Sequence, residues 1–298
     1  MMPVFQRLVR FIASDGQIYY GEAGDDWQSE LVGRTVKVFT GLDPWAPDFE
    51  LSNQLATIQQ VICPLDKVPN VLGIGLNYRL HVKEAGFPMP SEPVLFSKAA
   101  GRFQRAYQHV HLTEFLLDSL AGPYEDVPCH PVAKEVDWEG ELCLVMGRDA
   151  KNIPEDQDPL SYVLGYTVGN DVSSRYWQRP ERCGGHFNYA KSFDKFSPVG
   201  PVIASLQAVG NPEDLRLRTW VGNELMQDGK TNDLIFDLRR IVRHCSNGTT
   251  LRRGTVIMTG TPSGIGATMT PSRFLKDQDV VKIEVERIGT IRNKMVFQ

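Results

Sequence analysis

Hydrophobic and polar residues alternate with a period of two over several stretches of this chain. This period is typical of β-strands, whose successive side chains point to opposite faces. The clearest stretch is residues 136–147, VDWEGELCLVMG. Apolar residues fill one set of alternate positions there, whereas the other set begins with Asp137, Glu139 and Glu141. We therefore predict a strand over 136–147 with its apolar face toward the core.

Further apolar runs are separated by turn residues and predict the rest of the elements. An Asp-Gly pair at 15–16 lies between two such runs and predicts a hairpin over residues 7–21. Residues 55–63 are predicted to be a connector. A short helix is predicted to end before Gly86, and an amphipathic helix is predicted over 234–244. The remaining predicted strands cover residues 71–76, 94–98, 162–169, 196–204 and 280–296, and one more leads into a glycine-rich turn over 254–266.

Many strands and few helices favour a closed or sandwiched mixed sheet of the α+β class. The elements lack the regular strand–helix alternation of a doubly wound sheet. The GIG strings at 73–75 and 264–266 lack the third glycine of a dinucleotide-binding fingerprint. We predict a small β-rich N-terminal module over residues 1–66 and a larger domain over residues 67–298.

The composition argues against several classes of function. A formal net charge of -4, with only short basic clusters, disfavours a nucleic-acid-binding surface, which needs clustered lysine and arginine. The five cysteines show neither metal-binding nor disulfide spacing. No stretch has the roughly 20 apolar residues that span a bilayer, and no secretory signal is recognisable. We therefore expect a soluble cytoplasmic protein without a membrane partner, and a mitochondrial location stays open.

Three acidic residues are the strongest candidates for chemistry. Glu139 and Glu141 are two positions apart on the predicted strand, so their side chains share a face about 7 Å apart and repel each other unless a cation lies between them. Asp171 follows another predicted strand, at a point where a strand end delivers side chains into a site. Because Mg²⁺ prefers oxygen ligands, the three carboxylates predict a metal site. The alternatives are two glutamates on a solvent-facing strand and an aspartate that caps a turn.

The chain resembles the fumarylacetoacetate hydrolase family from Arg7 to its carboxyl end. Four segments carry the resemblance in the same order and spacing: EVDWEGELCLVMGRDAKN, GYTVGNDVSSR, YAKSFDKFSPVGP and LRRGTVIMTGTPSGIG. Within the family, the chain looks most like the small acylpyruvate hydrolases, oxaloacetate decarboxylases and oxaloacetate tautomerases. The resemblance implies a mixed β-sandwich roll, a homodimer, and a divalent cation held by Glu139, Glu141 and Asp171. Mg²⁺ is the expected cation, with Mn²⁺ and Ca²⁺ as alternatives.

The same resemblance implies functions for further residues. His81 and Glu84 are three positions apart on a predicted helix and share a face, and the resemblance makes them a general-base dyad on a lid over the substrate. Lys191 corresponds to the family's active-site lysine and would stabilise developing negative charge. Taken alone, these would be a surface pair and a surface lysine. The substrate-binding residues that the resemblance implies are Arg175, Gln178, Lys98, Gly260 and Thr261.

The implied function is a divalent-metal-dependent hydrolase or lyase that acts on the C–C bond next to a 2-oxo acid. Its reaction would be acylpyruvate hydrolysis or oxaloacetate decarboxylation through a metal-stabilised enolate. One alternative is an oxaloacetate keto–enol tautomerase, in which the same His–Glu pair moves the proton. Another is a member of the family without catalysis. Two departures from the family pattern bear on this choice: Ala190 replaces a glycine found in many members, and residues 101–118 form an apparent insertion.

Overall fold

Strands of three β-sheets, joined by loops and a few short helices, form the computed structural model, which describes residues 4–100 and 119–298. The predicted insertion, residues 101–118, lies outside the described residues. Many strands and few, short helices confirm the predicted α+β class. The strands are β1 (Arg7–Ala13), β2 (Ile18–Glu22), β3 (Thr35–Phe39), β4 (Leu51–Val61), β5 (Val71–Gly75), β6 (Val94–Lys98), β7 (Leu120–Ala121), β8 (Val127–Cys129), β9 (Val136–Asp137), β10 (Gly140–Met146), β11 (Val163–Asn170), β12 (Ser173–Ser174), β13 (Ser197–Ala204), β14 (Arg216–Val221), β15 (Glu224–Lys230), β16 (Val256–Met258), β17 (Val280–Val285) and β18 (Gly289–Phe297). The helices are α1 (Arg79–Ala85), α2 (Arg175–Gln178), α3 (Pro180–Cys183), α4 (Asn188–Lys191), α5 (Leu206–Val209) and α6 (Leu238–Ser246), and short 3₁₀ helices cover Pro159–Tyr162, Thr231–Asp233 and Gly266–Thr268.

The largest sheet has 11 strands, and β10 lies in its interior between β11 and β16. The strand order is β2-β3-β4-β1-β13-β11-β10-β16-β5-β6, and β7 pairs in parallel with β13. The predicted N-terminal module, residues 1–66, supplies β1 to β4, and β1 pairs in antiparallel register with β13. Strands from both sides of the predicted boundary therefore belong to one continuous sheet.

Strand β10 is buried on both faces because two separate cores pack against it. Leu142 and Leu144 belong to a core shared with the second sheet, whose five strands run in the order β15-β14-β17-β18-β8. Cys143 and Val145 point the other way, into a core formed with β5, β13 and β16. Glu141, at the start of the same strand, is only 2% exposed. The alternative of a solvent-facing strand for the glutamates is therefore wrong.

The strand predicted over 136–147 is in fact interrupted, since β9 ends at Asp137 and β10 begins at Gly140. The backbone N–H groups of the two intervening residues are bound by side chains instead of a neighbouring strand. Asp137 Oδ1 accepts from Trp138 at 2.9 Å, and Asn170 Oδ1 accepts from Glu139 at 3.1 Å. The interruption therefore lies where the predicted metal ligands begin.

The first helix ends as predicted, whereas the start of α6 and the predicted connector differ from the structure. Helix α1 ends at Gly86, whose φ of 70° is left-handed. Helix α6 begins after Asp237, because that side chain accepts the N–H of Arg240 at 2.7 Å and caps the helix, so residues 234–237 precede it. The connector predicted over 55–63 is wrong, since β4 runs through most of it.

Within the described ranges, no helix is long and apolar enough to span a bilayer.

Candidate active site

A cavity of about 360 Å³ opens beside the start of β10 and the end of β11. The pairing of these two strands builds its floor. Gly140 lies opposite Asn170 in antiparallel register, so the start of one strand meets the end of the other. The N–H of Asp171 then donates to the carbonyl of Glu139 at 2.9 Å. The fold thus brings Glu139, Glu141 and Asp171 to one place, although they come from two segments of the chain.

These three carboxylates form a buried cluster, in which one oxygen of each lies within 4.8 Å of the others. Burial, together with the charges of Asp171 and Glu139, raises the pKa of Glu141 well above its usual range. Burial acts on Glu139 as well, but the charges of Lys191 and Arg175 outweigh it and hold the pKa of that carboxyl far below its usual range. Glu141 is therefore the carboxylate whose charge the protein's own cations compensate least.

Two buried lysines hold the cluster together. Lys191 Nζ contacts Asp171 Oδ2 and lies 2.8 Å from Glu139 Oε2 and 2.9 Å from Ser173 Oγ. Lys191 also lines the cavity. Because these three acceptors occupy its three N–H donors, it can act on a ligand through its charge. Burial lowers the pKa of Lys191, but the two carboxylates outweigh it, and the pKa is raised.

Lys98, predicted to bind substrate, has a side chain with no exposed surface and does not line the cavity. It contacts Asp171 Oδ1 and donates to the Phe196 carbonyl at 2.6 Å. The structure thus gives Lys98 the position of a support behind Asp171 instead of a substrate contact. Its distance of 73 positions from Asp171 along the chain explains why the sequence could not show this.

Arg175 directs its guanidinium at the protein's own acids. Its Nε donates to Asp137 at 2.8 Å, its Nη1 donates to Gln178 Oε1 at 2.8 Å, and its Nη2 lies 2.7 Å from Glu139 Oε1. Arg175, predicted to bind substrate, therefore contacts two of the protein's own carboxylates, although Nη2 forms no hydrogen bond. Gln178 lines the cavity as well, and because its oxygen accepts from Arg175, its amide NH₂ is the end that can donate to a ligand.

Asp137 is a buried acid that the sequence analysis did not assign to the site. Besides Arg175, it accepts the backbone N–H groups of Gly266 at 2.8 Å and Ala267 at 3.0 Å. Ala267 lines the cavity, so Asp137 fixes both Arg175 and one wall of the site. The sequence did contain a signal for Asp137, because it precedes Glu139 by two positions and so belongs to the same alternating set as Glu139 and Glu141.

Replacing Asp137 with asparagine is expected to lower the free energy of unfolding by about 3 kcal/mol. The amide keeps the shape, but it removes the charge that balances the buried guanidinium of Arg175. Denaturant unfolding measures the change. Asp149→Asn is the matched control, since that aspartate is exposed and pairs with Arg252 at the surface, where we expect a change of no more than about 0.5 kcal/mol. Equal effects in the two variants would contradict the buried ion pair.

The turn after β16 supports the cluster from the other side. Gly260 N–H donates to Glu141 Oε2 at 2.7 Å. Thr261 lines the cavity, but its hydroxyl donates to the Gly140 carbonyl at 2.9 Å and accepts from Gln227 Nε2 at 2.7 Å. The Gly260 N–H and the Thr261 hydroxyl thus both bond within the protein, and substrate binding by these two residues stays a prediction. Gln227, on β15, carries no signal in the sequence because it is one polar residue in a largely polar strand.

His81 and Glu84 share one face of α1, as predicted. The Nδ1 of His81 lies 3.5 Å from Glu84 Oε2. Glu84 also accepts the N–H of Gly264 at 3.1 and 3.2 Å, and this turn requires glycine because φ is +100° and a Cβ would lie 2.0 Å from the Met226 carbonyl oxygen. Burial alone would raise the pKa of Glu84, but its hydrogen bonds to His81 and Gly264 outweigh burial and lower it. His81 lines the cavity, with Nε2 as the nitrogen not directed at Glu84.

The carboxylate cluster fits a hard divalent cation. Its donors are carboxylate oxygens, the ligand type that Mg²⁺, Mn²⁺ and Ca²⁺ share. In the described part of the chain Glu141 forms no ion pair, and its charge has only the N–H of Gly260 as a direct partner. A bound cation would neutralise this buried charge, which otherwise costs free energy.

Comparison with known proteins identifies the family. The family model described as Fumarylacetoacetate (FAA) hydrolase C-terminal matches residues 70–296. The chain belongs to this family. The resemblance of the four sequence segments is thereby confirmed, and so is the fumarylacetoacetate-hydrolase-like mixed β-sandwich fold.

Relatives and solved structures in the family carry several enzyme names. The human protein named oxaloacetate tautomerase FAHD2A, mitochondrial, is 37% identical over 235 residues, which cover 79% of this chain and 69% of that protein. The crystal structure of 2-hydroxyhepta-2,4-diene-1,7-dioate isomerase from Mycobacterium marinum aligns with a TM-score of 0.76 and 29% identity, covering 98% of this chain and 99% of that one. Fumarylacetoacetate hydrolase from Exiguobacterium antarcticum aligns with a TM-score of 0.75 and 28% identity, covering 98% and 100%. Members of the family are thus enzymes of more than one reaction type.

Proposed function

We propose that this chain catalyses proton transfer at the carbon next to the 2-oxo group of a small 2-oxo acid, as an oxaloacetate keto–enol tautomerase. The observation that carries the proposal is that the imidazole of His81, held by Glu84, lines the same small cavity as the buried carboxylate cluster. The name of the 37% identical human relative and that of the Mycobacterium marinum structure both describe isomerisations, which supports this reaction over the hydrolysis favoured by the sequence.

His81 is the group that would move the proton. Its Nε2 would take a proton from the carbon beside the 2-oxo group and return it to the enolate oxygen, and the reverse transfer would regenerate the keto form. Glu84 would keep Nδ1 protonated and stabilise the imidazolium that forms when Nε2 accepts the proton. The N–H of Gly264 holds Glu84 in turn, so the base is positioned before substrate arrives.

Charge stabilisation would come from the other side of the cavity. Glu139, Glu141 and Asp171 would hold the divalent cation, which when bound would polarise the 2-oxo group and make the neighbouring C–H bond more acidic. Lys191 adds positive charge on the same wall. Apolar side chains exclude water from the rest of the cavity and strengthen these interactions, and they include Phe87, Phe96, Phe187 and Ile265.

Cleavage of the neighbouring C–C bond is the second candidate function. The pair of His81 and Glu84 is also suited to activating a water molecule, which acylpyruvate hydrolysis requires and tautomerisation does not. Decarboxylation of oxaloacetate needs the same stabilised enolate.

We also propose Mg²⁺ as the cation and a homodimer as the assembly, both as the resemblance implied. A mitochondrial location, as in the name of the human relative, is proposed beside the cytoplasmic one expected from the sequence.

A direct assay separates these reactions. The full-length protein with Mg²⁺ is given enol oxaloacetate, and ultraviolet absorbance follows loss of the enol while NMR follows pyruvate. A parallel reaction contains acetylpyruvate, and controls contain Mg²⁺ without protein and protein with a chelator. We expect faster enol loss without extra pyruvate from either substrate. Pyruvate formation faster than tautomerisation would favour the cleavage reactions, and no acceleration of any reaction would favour a family member without catalysis.

A further inference from the structure

Three cationic residues of the described chain line the cavity: Arg175, Arg179 and Lys191. Two of them, Arg175 and Lys191, bind side chains of the protein itself. The guanidinium of Arg175 binds Asp137, Gln178 and Glu139, and the three N–H donors of Lys191 are occupied. Their side chains are also almost completely buried, at 12% and 4% exposure. A ligand that enters the cavity would therefore meet a different cation first.

The Arg179 side chain is exposed and has a single hydrogen-bond partner, whereas the buried side chains of Arg175 and Lys191 each have three partners in the protein. It joins α2 to α3 in an extended conformation, at φ -63° and ψ 135°, and its side chain is 44% exposed. In residues 4–100 and 119–298, the only hydrogen bond of the Arg179 side chain runs from Nη2 to Glu135 Oε1, and the guanidinium carbon lies 5.3 Å from the centre of the Tyr176 ring. A guanidinium carries five N–H donors, so Glu135 orients the group and leaves most donors for a ligand.

The neighbour of Arg179 strengthens the case for a carboxylate ligand. Gln178 also lines the cavity, and because its oxygen accepts from Arg175, its amide NH₂ is the group that can donate to a ligand. A planar guanidinium and an amide NH₂, on consecutive residues that line one cavity, suit the two oxygens of a carboxylate. The carboxylate cluster and His81 line the same cavity and are buried, whereas the side chain of Arg179 is 44% exposed.

We propose that Arg179 binds the second carboxylate of a 2-oxo dicarboxylate and thereby selects dicarboxylates over 2-oxo acids with an uncharged end. The proposal rests on the proposed function, since it assigns the substrate class of that same site. The reacting end of the substrate would lie at the carboxylate cluster, and the distal carboxylate would lie at the mouth. Arg179 would be a specificity-determining residue that does not take part in proton transfer.

Two substrates and three variants test this inference. Oxaloacetate carries a distal carboxylate, whereas 2-oxobutanoate has the same 2-oxo acid and an uncharged end, and NMR follows exchange of the C3 protons of both with deuterated water. For Arg179→Met we expect kcat/KM for oxaloacetate to fall about 10- to 100-fold, mainly through KM, with exchange of 2-oxobutanoate unchanged. Arg179→Lys should recover part of the loss. Arg182→Met is the control, because Arg182 is exposed, packs 3.9 Å above the same Tyr176 ring and does not line the cavity.

The outcomes are distinct for the two proposals. Loss of oxaloacetate selectivity in Arg179→Met alone supports the inference. An unchanged KM for oxaloacetate, or equal losses for both substrates, would overturn the inference while leaving the proposed function intact. Equal loss of selectivity in Arg182→Met would also overturn it, since general surface charge would then explain the effect. A wild-type protein that exchanges the protons of neither substrate would overturn both proposals.

Discussion

Replacing Glu141 with glutamine is expected to weaken Mg²⁺ and Mn²⁺ binding by at least about 100-fold and to abolish turnover. Glu141 is the carboxylate whose charge the protein itself compensates least, and glutamine keeps its volume while removing that charge. Titration calorimetry measures the affinity without relying on activity. Retention of wild-type affinity would contradict the assignment of Glu141 as a metal ligand.

Thermal unfolding of the same variant measures how much metal stabilises the fold, which is a second test that does not depend on activity. Metal at about 100 times the wild-type Kd should stabilise the wild type by about 2.7 kcal/mol and Glu141→Gln by no more than about 0.4 kcal/mol. Without metal, the variant should be at least as stable as the wild type, because the buried Glu141 carboxyl must either keep an uncompensated charge or bind a proton, and glutamine does neither. Glu224→Gln is the matched control, since Glu224 is 65% exposed and does not line the cavity, and it should respond to metal as the wild type does.

Replacing His81 with alanine is expected to reduce kcat for tautomerisation by about 100-fold or more while leaving metal affinity within about threefold of the wild type. The imidazole lines the cavity and is the group proposed to transfer the proton, but it is not one of the three carboxylates of the cluster. Stopped-flow absorbance of enol oxaloacetate measures kcat, and calorimetry measures metal affinity.

His244→Ala controls for the loss of a histidine, because His244 lies on α6 and pairs at 3.8 Å with the exposed Glu92. It should change neither quantity. If His81→Ala lowers metal affinity and kcat by the same factor, the histidine supports the metal site and the proton-transfer function is contradicted.

Short sequence patterns correctly predicted turns, helix ends and strands whose conformation depends on neighbouring residues. The Asp-Gly turn at 15–16 does separate β1 from β2, and Gly86 ends α1 because only a residue that tolerates left-handed φ fits there. Strand β6 has the predicted bounds. The pairing of β14 and β15 was missed because β15, ELMQDGK, is polar and mostly exposed, so its strand conformation depends on pairing with its neighbour.

The candidate site was predictable as a set of residue types but not as a set of contacts. Alternation placed Glu139 and Glu141 on one face, and the end of β11 placed Asp171 near a strand terminus. The resemblance to the family supplied most of the remaining residues. What no local pattern could show is that Arg175 and Lys191 are occupied by the protein's own acids, because those contacts join segments 38 and 52 positions apart. The exposure of Arg179 at the cavity depends on the same distant packing.

A crystal of the protein grown with Mn²⁺ tests the central claim most directly, because anomalous scattering locates the ion independently of any assay. We expect one strong anomalous peak with oxygens of Glu139, Glu141 and Asp171 all within about 2.0–2.6 Å of it. A peak bound elsewhere, or no peak between these carboxylates at saturating Mn²⁺, would contradict the metal site and the chemistry proposed from it.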